Sequence, residues 1–373
     1  MKIGIPTEVK DNEARVAATP EGVRELTRAG HEVLVQSGAG QGSAIGDADY
    51  TDAGAHVVPN ADGVFEADLI VKVKEPQPEE FPRFRKGHVL LTYLHLAADR
   101  TLTEFLCAQG VNSVAYETVQ MPDGRLPLLA PMSEIAGRMA PHVGAGCLER
   151  PRGGRGVLMG GASGVSPARV LVLGAGIAGS NAAQIAAGME AEVWVVDRNV
   201  DRLRQIDQIW RGRIQTVMSS GLAIERLVLE ADLVIGAVLV PGAKAPHLVD
   251  AGDVARMKPG SVLVDISIDQ GGCFETSHVT KHSNPTYLVD GVVHYCVGNM
   301  PGAVPRTSTY ALTNVTIPYV LEIADNGLEA AVRSDAVFAR GVNVYDGRIT
   351  NSGVAAAHGM EMTPLSQLVE GAS

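Results

Sequence analysis

The 373-residue sequence predicts an α/β protein made of two doubly wound, mostly parallel sheets. Two observations carry that reading. Short apolar runs alternate with segments of helical periodicity from the first residues onward, as in successive strand–helix–strand units. The length also exceeds what one simple core organises and suits two α/β domains.

The elements follow in order. Ile3 and Ile5 mark a brief strand, and a polar loop carrying Arg15 follows it. Pro20 opens a helix that runs through Arg28 and Gly30 closes it, with proline at the front and glycine at the end. Strands are expected at 33–35, 67–73 (ADLIVKV), 88–94 (HVLLTYL) and 111–116, with a helix over 99–109 ended by Gly110. Residues 126–150 read as a loop and then a long helix, since Ile135, Met139, Val143 and Cys147 recur at helical spacing.

A glycine-rich stretch at 153–161 (GGRGVLMGG) introduces the second alternating block, with strands at 170–173, 192–196, 233–237 and 261–267. That stretch has no strand directly before it and no GK[ST] ending, so it reads as a turning connection rather than a phosphate loop. After Arg306 the chain is helix-like again (TSTYALTNVTIPYVLEIAD), which predicts a return to the first domain. The expected division is 1–128 plus 307–373 for a discontinuous substrate domain, and 129–306 for a nucleotide domain.

Composition narrows the function. Hydrophobic residues at 46% and charged residues at 20% indicate a compact globular chain. Aromatics at 4% and 42 glycines favour aliphatic cores and many tight turns. A net charge of −11 argues against a nucleic-acid partner, whose phosphates need a basic face. The four cysteines show no CxxC pair, so neither a disulfide framework nor a metal site is expected, and a reducing compartment is the plain reading. MKIGIPTEVK reads as a strand and a charged loop rather than a signal peptide. No apolar stretch approaches the ~18 residues that span a bilayer. A soluble, cytoplasmic protein with no membrane partner is expected.

Residues 168–179, ARVLVLGAGIAG, place Gly174, Gly176 and Gly179 in GxGxxG spacing between an apolar strand and a helix. The first glycine makes the tight turn, the second lets backbone approach a pyrophosphate, and the third lets helix and strand pack closely. The helix N-terminus offers N–H groups and a positive dipole end to phosphates. A further strand, EVWVVD, ends in Asp197, where an acidic side chain binds a ribose 2′-OH and repels a 2′-phosphate. NAD is therefore the expected cofactor, a preference that Arg198 next door weakens somewhat.

Ligands of open α/β sheets bind beyond the carboxyl ends of the strands. Arg15, Lys74, His95 and Asp269 each follow such an end. Every one has a plainer reading: a solvated loop arginine, half of an ion pair with Glu75, a buried hydrogen-bonded histidine, a turn cap before Gly271 and Gly272. Their joint placement favours chemistry on an amino or oxo acid. A guanidinium binds a carboxylate in two parallel hydrogen bonds. An ammonium adds charge beside it, an imidazole exchanges protons near neutral pH, and a facing carboxylate holds a substrate ammonium or assists a water.

The sequence resembles the bacterial L-alanine dehydrogenases over essentially its whole length. The matching strings are long: MKIGIPTEVKDNEARVAATPEGV, GHEVLVQSGAGQGSAI, KVKEPQPEE, LLTYLHLA, LPLLAPMSEIAGRMA, GGRGVLMGG, VLGAGIAG, LVIGAVLVPGAKAP, SVLVDISIDQGGCFE and TSTYALTN. The resemblance implies two Rossmann-like domains with the active site in the cleft between them, and a homohexamer. It implies reversible, NAD-dependent oxidative deamination of L-alanine to pyruvate and ammonia. Hydride would leave the alanine Cα, water would add to the resulting iminium, and the carbinolamine would collapse.

Carried over by motif, Arg15 and Lys74 would hold the substrate carboxylate, and His95 and Asp269 would be the catalytic pair. Ser133, Ile177, Ala178, Asp197, Arg202, Ser219, Val238, Leu239, Ile266, Ser267, Ile268, Asp269, Val297, Gly298, Asn299 and Met300 would join the three fingerprint glycines around the cofactor. One departure is His278, where relatives often carry arginine, which leaves a cofactor contact there open. Past about residue 325 nothing is carried over. The nearest rival is the nucleotide-binding subunit of a proton-translocating transhydrogenase, which predicts loss of the substrate-binding set. Arg15, Lys74, His95 and Asp269 are all present.

Overall fold

The computed structural model describes residues 1–238 and 245–370. Two compact units divide the chain, one of Met1–Met132 with Val304–Ser373 and one of Ser133–Ala303. The strands, in chain order, are β1 (Lys2–Ile5), β2 (Glu32–Gln36), β3 (His56–Val58), β4 (Leu69–Val71), β5 (Val89–Thr92) and β6 (Asn112–Ala115). In the second unit come β7 (Arg169–Leu173), β8 (Glu192–Asp197), β9 (Ile214–Met218), β10 (Leu233–Gly236), β11 (Val262–Asp265), β12 (Thr286–Val289) and β13 (Val292–Tyr295). The returning segment adds β14 (Val342–Tyr345) and β15 (Arg348–Ile349) to the first.

Among the described residues the first unit holds an eight-stranded sheet in the order β15-β14-β6-β5-β4-β1-β2-β3. All pairs from β6 to β3 are parallel, while β14 runs antiparallel to both β6 and β15. The second unit holds a seven-stranded sheet, β12-β13-β11-β10-β7-β8-β9, antiparallel only at β12. The chain is thus α/β with two mixed, mostly parallel sheets. Chain order reverses between β1 and β4 in one sheet and between β7 and β10 in the other. Such reversals open a crevice at the carboxyl ends of parallel strands.

The central strands are aliphatic on both faces, as parallel strands covered by helices must be. In the first unit Ile70, Leu90, Ala115 and Val344 pack with Leu102 and Leu106 of the helix Arg100–Gln109. In the second, Val170, Val172, Ile235 and Val264 pack with Ala182, Ala183 and Ala186 of the helix Ile177–Gly188. Local signals set the element ends. The helix Pro20–Arg28 has Thr19 at its N-cap, accepting the Gly22 N–H, and proline in its first turn. The helix Arg100–Gln109 ends on Gly110 in the left-handed region.

The long helix expected within 126–150 spans Ala130–Cys147 and carries Pro141 inside it. In the connection at 153–161, Gly153, Gly156 and Gly161 all have positive φ, so the segment is a series of turns. All four cysteines are free thiols. Among the described residues, no helix is long and apolar enough to cross a membrane.

Candidate active site

In the first unit, β5, β4 and β1 are consecutive parallel neighbours, so the segments after them leave from one edge of the sheet. Arg15 follows β1, Lys74 follows β4 and His95 follows β5. Arg15 and Lys74 therefore flank the reversal point.

Arg15 is buried. Its Nε and Nη2 donate to the two carboxylate oxygens of Glu13 at 2.6 and 2.5 Å, and Nη1 lies 3.0 Å from the Met132 sulfur. Burial alone pushes the Glu13 carboxyl up. The Arg15 hydrogen bonds and charge outweigh it, with Lys74 adding to them, and hold Glu13 below the usual carboxylate range. Glu13 thus senses both cations.

Lys74 is also buried, and its main-chain N–H donates to Glu8 Oε2 at 3.4 Å. Glu8 Oε1 accepts the Val73 N–H at 2.6 Å, and the Lys72 ammonium lies 3.1 Å from Glu8 and 2.8 Å from Glu80. Burial pushes the Glu8 carboxyl up, against the opposing pull of Lys72 and the Val73 hydrogen bond. Glu75, the sequence neighbour of Lys74, forms an ion pair with Lys10.

His95 is solvent-exposed rather than buried, with 45% of its side chain accessible. Its φ of 50° and ψ of 33° lie in the left-handed region, which residues with a Cβ rarely adopt. The imidazole lies nearly parallel to the Tyr93 ring, with a 9° interplanar angle and centroids 6.1 Å apart. Tyr93 is buried, its hydroxyl donates to the Leu128 carbonyl at 2.7 Å, and burial pushes its phenol up, with the charge of Arg15 opposing. Tyr93 thus links the surroundings of His95 and Arg15.

A regularity connects these residues. The main-chain N–H of Arg15, of Lys74 and of His95 each donates to a glutamate carboxylate: Glu13 at 3.1 Å, Glu8 at 3.4 Å and Glu117 at 2.6 Å. Sequence reasoning missed all three glutamates, together with Tyr93 and Met132. The only hint in the chain was Glu13, two positions before Arg15.

In the second unit, Gly174 has φ 103°, and a Cβ there would lie 2.6 Å from the Ala237 carbonyl oxygen. A Cβ at Gly179 would lie 1.8 Å from the Gly174 oxygen, so turn and helix touch backbone to backbone. Gly176 is the N-cap of the helix Ile177–Gly188 and offers no side-chain cap. A Cβ there would meet nothing nearer than Arg202 Nη1 at 3.9 Å. Two glycines serve close packing and the middle one leaves the helix N-terminus uncovered, which fits a dinucleotide pyrophosphate. Beside it Ile177 is 45% exposed, an apolar surface for a flat ring. A Cβ at Gly137 would lie 2.2 Å from the Ala178 oxygen, and Ser133 lies one turn earlier on that same helix, Ala130–Cys147.

Asp197, at the end of β8, accepts the Ala175 N–H at 2.6 Å and the Asn199 N–H at 2.7 Å, which ties the glycine turn to the neighbouring strand. Arg202 Nη1 stands 3.9 Å from its carboxylate, and the Ser219 N–H donates to the Asp197 carbonyl at 3.0 Å. The Ser267 hydroxyl donates to the Val238 carbonyl at 2.7 Å. Leu239 lies outside the described residues.

Strand β11 ends at Asp265, short of the expected 267, and Asp269 sits in a separate 3-10 turn, Ile268–Gln270. Asp265 builds that turn: buried, it accepts the Ser267 N–H at 3.1 Å, the Cys273 N–H at 2.8 Å and the Ser277 hydroxyl at 2.7 Å. Burial pushes its carboxyl up, against those hydrogen bonds. Asp269 is exposed and accepts the Asn299 N–H at 3.3 Å. A Cβ at Gly298 would lie 2.8 Å from Asp269 Oδ1, so the two positions are in close contact. Ile268, Val297 and Met300 are buried, while Ile266, Ser267, Gly298 and Asn299 are partly accessible. His278 stacks on Tyr287 with ring centroids 3.6 Å apart, and Tyr287 stacks on His294 at 4.9 Å. Among the described residues, no group of three or more His, Cys, Asp or Glu side chains is arranged to hold a metal ion.

Comparisons with known proteins show the family and the fold. Residues 4–136 match the family described as alanine dehydrogenase/PNT, N-terminal domain, and residues 140–352 match its C-terminal domain. An alanine dehydrogenase of Mycolicibacterium smegmatis is 58% identical, covering 99% of this chain and 100% of that protein. One of Halomonas elongata is 54% identical with the same coverage. A solved L-alanine dehydrogenase superposes with a TM-score of 0.94 at 50% identity, covering 96% of this chain and 99% of that one. A transhydrogenase from Sinorhizobium meliloti gives 0.80 at 25% identity, covering 94% and 99%.

Proposed function

The chain belongs to the alanine dehydrogenase/PNT family and is an NAD-dependent dehydrogenase of alanine, and on that premise we propose which of its residues do the work. The reaction is the reversible oxidative deamination of L-alanine to pyruvate and ammonia. One observation carries the assignment: three neighbouring parallel strands deliver a guanidinium, an ammonium and an exposed imidazole to one sheet edge, and a single carboxylate, Glu13, senses both cations.

Arg15 and Lys74 hold the substrate carboxylate by charge and directed hydrogen bonds. His95 and Asp269 share the proton transfers to and from the attacking water, the carbinolamine oxygen and the leaving amine. Gly174, Gly176 and Gly179 present the N-terminus of the helix Ile177–Gly188 to the pyrophosphate. Asp197 accepts from the ribose and, with Arg202, Ser219, Ser133, Ile177, Ala178, Val238 and the 266–269 and 297–300 segments, completes the nucleotide site. NAD, when bound, supplies the two-electron acceptor for the hydride from the alanine Cα. A cytoplasmic homohexamer belongs to the same reading. Its support is the likeness to bacterial alanine dehydrogenases, and analytical ultracentrifugation tests the assembly.

The test of the catalytic pair is a double-substitution cycle followed by NADH absorbance. His95→Ala and Asp269→Ala should each lower turnover about 10²-fold or more. Residues serving the same proton transfers are non-additive, so the double variant should cost far less than the product of the two. Near-normal turnover of His95→Ala, or effects that simply multiply, would refute the pairing.

A further inference from the structure

His95 is held in a conformation that its own covalent structure resists. A left-handed backbone at a residue with a Cβ costs free energy, and such a residue persists only where its surroundings impose it. Glu117 holds the main chain at this bend. Its Oε1 accepts the N–H of His95 at 2.6 Å and that of Leu94 at 3.1 Å, and the same oxygen lies 4.0 Å from His95 Nδ1.

Glu117 is itself fixed by its place in the fold. It sits in the 3-10 turn Tyr116–Thr118 just beyond β6, the neighbour of β5, and its side chain is 16% exposed. On one side, Tyr116 is fully buried and meets Tyr93 edge to face at 5.0 Å. On the other, the Thr118 hydroxyl donates to the Gly341 carbonyl at 3.3 Å and accepts from Asn343 Nδ2 at 3.1 Å. The carboxylate is therefore presented from a rigid turn to the two N–H groups that form the bend.

The backbone angles of His95 decide where its Cβ points. With φ 50° and ψ 33° the imidazole lies over the Tyr93 ring, exposed at the sheet edge that also carries Arg15 and Lys74. We propose that Glu117 is a positioning residue for the dehydrogenase reaction, clamping the left-handed turn at His95 by accepting its main-chain N–H and so setting the imidazole over Tyr93. The inference rests on the catalytic assignment of His95 made above. What matters in it is the reach of one oxygen. A glutamine keeps an acceptor at that distance without the charge, whereas an aspartate keeps the charge but is one carbon too short.

Glu117→Gln and Glu117→Asp, with His95→Ala as reference, separate the possibilities in the full-length protein. The Gln variant should keep turnover within about threefold, and the Asp variant should lose about tenfold or more, the scale of a displaced acid–base group. The Michaelis constant for NADH should stay within about twofold in both, since nucleotide is held by the other unit. A crystal structure of the Asp variant should show His95 out of the left-handed region and its ring off Tyr93. Full turnover of the Asp variant, a Gln variant as impaired as Asp, a parallel loss of NADH affinity, or an unchanged His95 turn in the Asp crystal would each overturn the clamp. If His95→Ala keeps its turnover, the catalytic assignment of His95 fails, and the crystal still decides whether Glu117 sets the turn.

Discussion

Glu13 occupies the Nε and Nη2 side of the Arg15 guanidinium with both of its oxygens, and the two side chains are 0% and 1% exposed. The two-pronged carboxylate contact expected for substrate is thus already made within the protein. On the other edge of the fork, Nη1 lies 3.0 Å from the Met132 sulfur. Glu13 fixes the plane of that edge, and its charge offsets the cost of burying the cation.

Arg15→Lys should therefore fail in two ways at once. A lysine cannot span both oxygens of Glu13, and it offers no planar edge to a carboxylate. The Michaelis constant for pyruvate should rise about tenfold or more, as expected for a lost charge-assisted hydrogen bond, while that for NADH changes little. A defect confined to NADH would show that Arg15 serves the nucleotide instead.

Asp197 has two duties, and its substitution should reveal both. In the nucleotide site proposed above it would select NAD through the ribose, and it holds the Ala175 N–H of the glycine turn. Asp197→Ser should narrow the preference for NAD over NADP by about tenfold or more, and it should also weaken NAD itself. Equal catalytic efficiency of the unmodified enzyme with both cofactors would contradict this role.

Glycines of one helix should respond in opposite directions. Gly179→Ala puts a Cβ within 1.8 Å of a carbonyl oxygen, so the helix must shift away from the turn. About 1–3 kcal/mol of stability and much of the NADH affinity should be lost. At Gly188 a Cβ meets nothing within 4 Å, and Gly188→Ala should stabilise by about 0.5–1 kcal/mol. Thermal unfolding and NADH fluorescence titration of both variants test the contrast.

His88 gives acid sensitivity of a defined sign. Burial, then the charge of Arg85, lowers its imidazole to about 4, and the Arg85 N–H donates to Nδ1 at 3.2 Å. At neutral pH the ring is uncharged in both folded and unfolded chains. As pH falls below the ordinary histidine value, only the unfolded chain takes up the proton, so stability declines until the folded ring titrates near pH 4. The slope approaches roughly 1.4 kcal/mol per pH unit. Urea unfolding at pH 7 and pH 5 should show a smaller loss in His88→Gln, and equal losses would exclude this origin.

The sequence revealed most strands inside the two sheets and missed those at and beside their edges. β7, β8 and β10 were legible as apolar runs because helices bury them from either side. The edge strands β3, β9, β12 and β15 went unread, as did β13 and β14 beside two of them. Edge strands are short or half-exposed: Ile214–Met218 mixes polar residues with apolar ones, and the apolar run within Thr286–Val289 is only three residues long. The run at 88–94 outlasted its strand because Tyr93 and Leu94 stay buried in the turn that follows Thr92. Arg15, Lys74 and His95 were findable because a strand end precedes each. The carboxylates behind Lys74 and His95 were not, since Glu8 is 66 residues from Lys74 and Glu117 is 22 from His95. Only the folded sheet brings them near.

The glutamates that grip main-chain N–H groups separate the shape of the substrate edge from its chemistry. A loop whose course depends on its own side chain changes form when that side chain is exchanged. The bends at Lys74 and His95 are instead held from behind, by Glu8 and Glu117. Whatever side chain stands at either position inherits a ready-made direction into the site. An engineer seeking to move this scaffold to another small oxo acid would keep Lys74 and His95 together with the two glutamates that aim them, and vary the side chains around them.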